Sequence, residues 1–266
     1  MSYDIVVCGS IVPDPLQTLT PMDGPQGPAL KNEMMLPAVL DPWAGHALFE
    51  AANLARTIPG CRVWLVSLGP KAKLQQVMMA VAQKAPFQFV AVDGPSSGFT
   101  DSFDVAEALA TAIEGIADLD RSKLLLFGGW QSASRGTGST IQMVAERLGI
   151  VDQFQGVDKL TVNADGSLEV LERIEAGNWL ASKVESAPAA FGWATGELPE
   201  PPNNPQVGMM NMKSIMPALQ QAKPAKLDSG FRVSGVSLPQ TVRQTRVVKD
   251  MPVDDIAREI VDWIQN

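Results

Sequence analysis

Apolar residues recur along this chain with two different periods, and the alternation between them predicts its architecture. Short unbroken runs, Ile5–Cys8, Val63–Val66, Phe89–Val92 and Leu124–Phe127, read as buried strands. Segments of helical period lie between them. Ala47, Leu48, Ala51 and Leu54–Ala55 form one stripe; Val105, Leu109, Ala112, Ile113 and Ile116 form a second; Ile141, Val144, Ala145 and Leu148 form a third. Strand–helix alternation over roughly the first 150 residues implies right-handed crossovers and a mostly parallel sheet flanked by helices. Ligands of such sheets sit at the carboxyl ends of the strands.

The pattern changes after residue 150. Leu160–Val162 and Leu168–Leu171 flank Asp165-Gly166, a strong hairpin signal, and Val184 and Ala189–Trp193 read as further extended segments. From Gly196 to Lys226 the chain has the composition of an exposed arm. Pro199, Pro201, Pro202 and Pro205 crowd its first half, and Met209-Met210-Asn211-Met212 follows. It reads either as a linker or as a partner-docking arm whose methionines adapt to apolar surfaces. Asp254-Asp255 then opens an amphipathic helix carrying Ile256, Ile260, Val261 and Ile264.

At 266 residues and 45% hydrophobic, the chain can bury a sizeable core. A formal net charge of −8 argues against nucleic acid and against an anionic membrane surface. The start, Met1-Ser2-Tyr3-Asp4-Ile5, has no cationic leader and no long apolar run, so neither a signal peptide nor membrane insertion is expected. Two cysteines, Cys8 and Cys61, form no disulfide framework or metal spacing, and a cytoplasmic location fits best.

Histidine-based catalysis has one residue to draw on, His46, which reads as structural. No Walker lysine is present, and no Gly-x-Gly-x-x-Gly follows the first strand. Cys8 reads as a small buried residue rather than a reactive thiol. The remaining chemistry lies in one loop after Leu124–Phe127: Gly128-Gly129-Trp130-Gln131-Ser132-Ala133-Ser134-Arg135-Gly136-Thr137-Gly138-Ser139-Thr140. Glycines let a backbone approach a phosphate, hydroxyls donate to its oxygens, Arg135 adds a cation, and the amides of the following helix point the same way. A plain helix-capping loop has the same composition. The position at the carboxyl end of a predicted parallel strand favours the nucleotide.

This loop, continued through Gln142-Met143 and Leu148, resembles the adenine-nucleotide segment of electron-transfer flavoprotein beta subunits. Other stretches agree in order: Val6-Val7-Cys8, Asp41-Pro42-Trp43-Ala44, Ser67-Leu68-Gly69-Pro70, Glu172–Gly177 with Pro188-Ala189, and Leu198-Pro199-Glu200-Pro201. The loop departs from the family at Ser134, Arg135, Gly136 and Gly138, and no signature of electron-bifurcating relatives is visible.

The resemblance implies a Rossmann-like nucleotide-binding domain over 1–195 with a hairpin insertion. A recognition loop over 196–226 and a C-terminal arm and helix over 227–266 would follow. It implies an electron carrier, not an enzyme, paired with an alpha subunit that holds most of one FAD. Electrons would come from a flavin-dependent dehydrogenase and leave to a quinone-linked oxidoreductase. Structural AMP would lie against Cys8, Asp41, Pro42, Trp43, Ala44, Leu68 and the run Gly129 to Thr140. Leu198 would anchor the dehydrogenase. Trp43 is either a neighbour of the flavin's dimethylbenzene edge or a core aromatic. The competing readings are an adenine-nucleotide-binding stress-protein-like or hydrolase-like module, and an interaction scaffold.

Overall fold

In the computed structural model the described residues are 2–25, 27–95, 98–228, 231, 233–237 and 245–265. Parts of the expected C-terminal arm, residues 229–230, 232, 238–244 and 266, lie outside them. Residues up to Val236 form one unit, and Ser237 onward forms another.

The first unit is built on strands whose side chains are buried on both sides. Strand β1 (Asp4–Cys8) is followed by the short strands β2 (Ile11–Pro13), β3 (Pro21–Gly24), β4 (Gly27–Leu30) and β5 (Ala38–Leu40). Next come α1 (Pro42–Thr57), β6 (Arg62–Gly69), α2 (Lys71–Val81), β7 (Gln88–Asp93), α3 (Ser102–Glu114), β8 (Leu124–Gly129) and α4 (Thr140–Arg147). The chain continues with β9 (Gln153–Val162), β10 (Leu168–Arg173), β11 (Trp179–Val184), β12 (Ala189–Trp193), α5 (Pro205–Gln221) and the two-residue β13 (Lys223–Pro224).

Nine strands make one sheet in the order β11-β10-β9-β12-β8-β1-β6-β7-β13. Strand β1 lies between β6 and β8 and is parallel to both, with Val7 opposite Leu65 and Phe127. Strand β12 is parallel to both β8 and β9, and the sheet turns antiparallel only at the β9–β10–β11 end. The fold is α/β, as the two apolar periods predict. Because successive side chains alternate across a strand, Ile5 and Val7 join the core under α1, α2 and α5. Val6 and Cys8 join the core under α3 and α4. The expected hairpin forms around Asp165-Gly166 and pairs Val162 with Leu168.

Three elements depart from the sequence reading. Helix α2 buries Leu74, Val77, Met78 and Val81, a helical spacing that the strand-to-strand reading did not use. Residues 11–40, to which no element was assigned from sequence, carry two small antiparallel pairs, β2–β5 and β3–β4.

The third correction is the segment expected to be an arm without helix. Its dense run of prolines ends at Pro205, which takes the first helical position, where a missing N–H costs nothing. Asn204 caps the helix by accepting from the amides of Gln206 and Val207. Helix α5 then runs to Gln221 with Pro217 on its exposed side, burying Gly208, Asn211, Ile215 and Leu219. Asn211 is a polar rivet: its amide donates to the carbonyls of Ala82 and Ala85 at 2.8 and 2.7 Å and accepts from Phe87 N at 3.0 Å.

In the second unit, α6 (Val253–Gln265) starts with Asp254 and Asp255 and carries Ile256, Ile260 and Ile264 at four-residue spacing, all exposed.

Candidate functional site

The ends of β1 and β8 open towards two loops, and a buried carboxylate ties these together. Asp41 immediately precedes α1 and is 2% exposed. Its Oδ1 accepts from Trp43 N at 3.1 Å, capping the helix, with Pro42 at the first helical position. Its Oδ2 accepts from Ala133 N at 2.9 Å, which pins the glycine- and serine-rich loop to α1 across 92 positions of sequence. Burial pushes the Asp41 carboxyl above its ordinary range, against the Ser132 hydroxyl, the two amides and the Arg135 charge.

The loop has few torsions left free. Gly136 N donates to Ser132 O at 3.0 Å, and Ser134 N donates to Ser132 Oγ at 3.3 Å. Gly138 sits at φ +66°, and a Cβ there would stand 3.0 Å from Trp130 O, so a side chain is excluded both by torsion and by space. Trp130 is held by its own N–H on Trp193 O at 3.0 Å. From the other side, Ser102, at the start of α3, shares a hydrogen bond of 3.0 Å with Thr137.

The loop, the start of α1 and the end of β1 border a small cleft of about 40 Å³. Of the residues expected at a nucleotide, Cys8, Asp41, Ala44, Gly129, Gln131, Ser132, Arg135, Thr137, Gly138, Ser139 and Thr140 line it. Pro42, Trp43, Leu68, Trp130, Ala133, Ser134 and Gly136 do not. Pro42 is exposed, Trp43 is half-buried, and Leu68 is 3% exposed in the core under α3 and α4. Ser10, Leu109, Gly128 and Ile141 complete the lining. The sequence reading missed these four. Gly128 carried a signal in the Gly-Gly pair: a Cβ there would lie 2.8 Å from Ile141.

Arg135 gives the cleft its chemistry. Its Nε is buried without a hydrogen-bond partner among the described residues. Burial pulls the guanidinium down from its usual value, while the Asp41 and Asp101 carboxylates pull it up. A buried donor of this kind is costly unless an acceptor reaches it. Hydroxyls of Ser132, Thr137, Ser139 and Thr140 border the same space, and the free amides of the first turn of α4 begin there. The donor set suits anionic oxygens. The volume is close to that of one or two waters and far below the several hundred Å³ of a nucleotide pocket. The donors present suit a phosphate group, and the cleft volume does not hold a whole nucleotide.

The remaining candidates fall into place by burial. Cys8 is 8% exposed, and its thiol is pushed up to about 12 by desolvation, so it holds no reactive thiolate at neutral pH. His46 lies in α1 with its Nδ1 buried and unpartnered among the described residues, and burial lowers its pKa. The expectation that the chain has no Gly-x-Ser-x-Gly pattern is wrong: Gly94-Pro95-Ser96-Ser97-Gly98 has the residue spacing of a nucleophile elbow. An elbow turns directly from strand into helix at its serine. Here α3 begins only at Ser102, and Ser96 and Ser97 are outside the described residues. Among the described residues no cluster of potential metal ligands occurs, and no helix is long and apolar enough to cross a membrane.

Leu198 lies elsewhere. It is half-buried and lines an apolar groove of about 970 Å³ on its own chain, with Phe49, Ala52, Phe87 and Met210.

A mostly parallel sheet flanked by helices, with this cleft at the carboxyl ends of its central strands, defines an α/β protein of Rossmann-like architecture. The electron transfer flavoprotein domain matches residues 32–226, well over half of the chain, and the protein belongs to that family. Members of the family are electron carriers associated with flavin. No curated protein matches the chain.

Proposed function

We propose that the chain is the beta subunit of a heterodimeric electron-transfer flavoprotein and that its cleft holds the phosphate of a structural AMP. The observation that carries the AMP reading is Arg135, whose buried Nε, without a partner among the described residues, shares the Asp41-tethered cleft with four hydroxyl side chains. Arg135, the Ser132, Thr137, Ser139 and Thr140 hydroxyls and the α4 amides would receive the phosphate oxygens. Bound FAD, held mainly by the alpha subunit, supplies the redox chemistry. This chain then contributes binding, orientation and a docking surface for a flavin-dependent dehydrogenase around Leu198, with a quinone-linked oxidoreductase downstream. No side chain of this chain is assigned a proton transfer.

The test is to co-express the chain with candidate FAD-binding alpha subunits, record the flavin spectrum, and analyse the nucleotides released on denaturation by mass spectrometry. The reading expects a yellow heterodimer that releases FAD and AMP. A monomer that binds FAD alone, or release of a second FAD or of NAD in place of AMP, would overturn it.

A further inference from the structure

The segment that leaves β12 crosses the outer face of α1, and charged side chains hold it at both ends. At the near end, Glu50 Oε1 accepts from Glu197 N at 3.1 Å, and the neighbouring Leu198 amide also favours the ionised carboxylate. Gly196 precedes them at φ +62°, and a Cβ on it would stand 2.5 Å from Glu50 Oε1, so this approach needs glycine. Lys159 pairs with Glu197 at 3.5 Å. At the far end, Lys84 pairs with Glu200 at 2.7 Å and donates to Pro201 O at 3.2 Å. Three residues on, Asn204 N donates to Gln83 O at 2.8 Å. Leu198 and Pro199 span the gap between these holds, along the apolar groove.

Glu50 is the unusual member of the pair. Burial raises its pKa, and the Glu197 charge raises it further; only the two amides favour the ionised form. An apolar residue in the middle of α1 would avoid that cost. What the carboxylate adds is a charge-assisted hydrogen bond from Glu197 N, with the Leu198 amide also favouring its charge, on a stretch of backbone outside any helix or strand. Fixing such a stretch before a partner arrives removes an ordering cost from the encounter.

We infer that Glu50 is a positioning residue for partner docking: it fixes the Glu197–Leu198 backbone so that Leu198 and the groove beside it meet the flavin dehydrogenase pre-ordered. The inference rests on the docking role proposed above for Leu198.

The test uses the intact heterodimer and the purified flavin dehydrogenase that reduces the wild-type heterodimer fastest, with Glu50→Ala, Glu50→Gln and Leu198→Ala compared. The readouts are the apparent KM for dehydrogenase, kcat, flavin content, and amide hydrogen exchange at Glu197 and Leu198. In Glu50→Ala, exchange at these two amides should quicken and KM should rise about tenfold, the loss expected for removing a charge-assisted hydrogen bond. Flavin content and kcat should hold. Glu50→Gln, nearly isosteric and keeping one acceptor oxygen, should fall between and serves if Glu50→Ala does not fold. A raised KM in Leu198→Ala with unchanged KM and exchange in both Glu50 variants overturns the positioning role and leaves the docking role standing. An unchanged KM in Leu198→Ala removes the docking role and the inference with it.

Discussion

Asp41 and Glu50 belong to the same stretch of chain, at the start and the middle of α1, and both use a carboxylate to hold the backbone of a distant segment. Asp41 reaches 92 positions to the glycine-rich loop, and Glu50 reaches 147 positions to the segment after β12. Burial raises the pKa of each. Their surroundings differ. Asp41 also faces the Ser132 hydroxyl and the Arg135 guanidinium, which favour its charge, whereas Glu50 faces the like charge of Glu197. A compensated carboxylate acts as a permanent joint. An uncompensated one holds its segment at a standing cost, which is affordable at a surface that meets partners.

The largest effect that tests this contrast should come from Asp41→Ala. It removes a helix cap, a long-range charge-assisted hydrogen bond and a counter-charge for buried Arg135 together. We expect a loss of about 3 kcal/mol or more in chemical denaturation. A loss below about 1 kcal/mol would mean that the loop is held without Asp41. Next is Arg135→Ala, which should cut AMP affinity of the heterodimer by about tenfold or more in calorimetric titration. Stability without nucleotide should fall by less than in Asp41→Ala, since a desolvated cation is removed while Asp41 keeps its two amides and the Ser132 hydroxyl. A fall as large as that of Asp41→Ala, with unchanged AMP affinity, would turn Arg135 into a structural partner of Asp41.

The smallest effect concerns Glu50→Gln and pH. A carboxylate with a raised folded pKa binds its proton more tightly folded than unfolded, so its cost is present above that pKa and fades as pH falls through it. The variant should therefore have a slightly higher thermal midpoint than wild type at neutral pH, and the gain should vanish on acidification. A gain that does not change with pH would show that ionisation of Glu50 carries no cost.

The sheet and the cleft were legible to different depths. Ile5–Cys8 and Leu124–Phe127 announce themselves because a strand buried on both faces must be apolar at every position. Leu74, Val77, Met78 and Val81 were equally regular, but Lys71 and Lys73 at the start of α2 and Gln75-Gln76 inside it diluted the stripe. Helix α5 was hidden because proline density was read as an average, when the position of each proline decides its effect: Pro205 starts a helix, and Pro217 sits on the solvent side of one. The loop was visible as a run of glycines and hydroxyls, yet its closure was not. That depends on the Asp41–Ala133 and Ser102–Thr137 contacts, which join segments 92 and 35 positions apart and leave no local pattern. Glu50 was missed for the same reason: within α1 it is one polar residue on an amphipathic helix, and its role exists only where the 196–198 backbone passes it.

Strand order also has a consequence for the ribosome. Strand β8 is finished at Gly129, but its outer neighbour in the sheet, β12, begins at Ala189. The β9–β10–β11 meander emerges between them, and it joins the sheet only through β12. At roughly 5–20 residues per second, the nascent chain carries Leu124–Gly129 as an open apolar edge for several seconds. Truncations ending between Arg173 and Pro188 should therefore be aggregation-prone and chaperone-bound, and extension through Trp193 should release them.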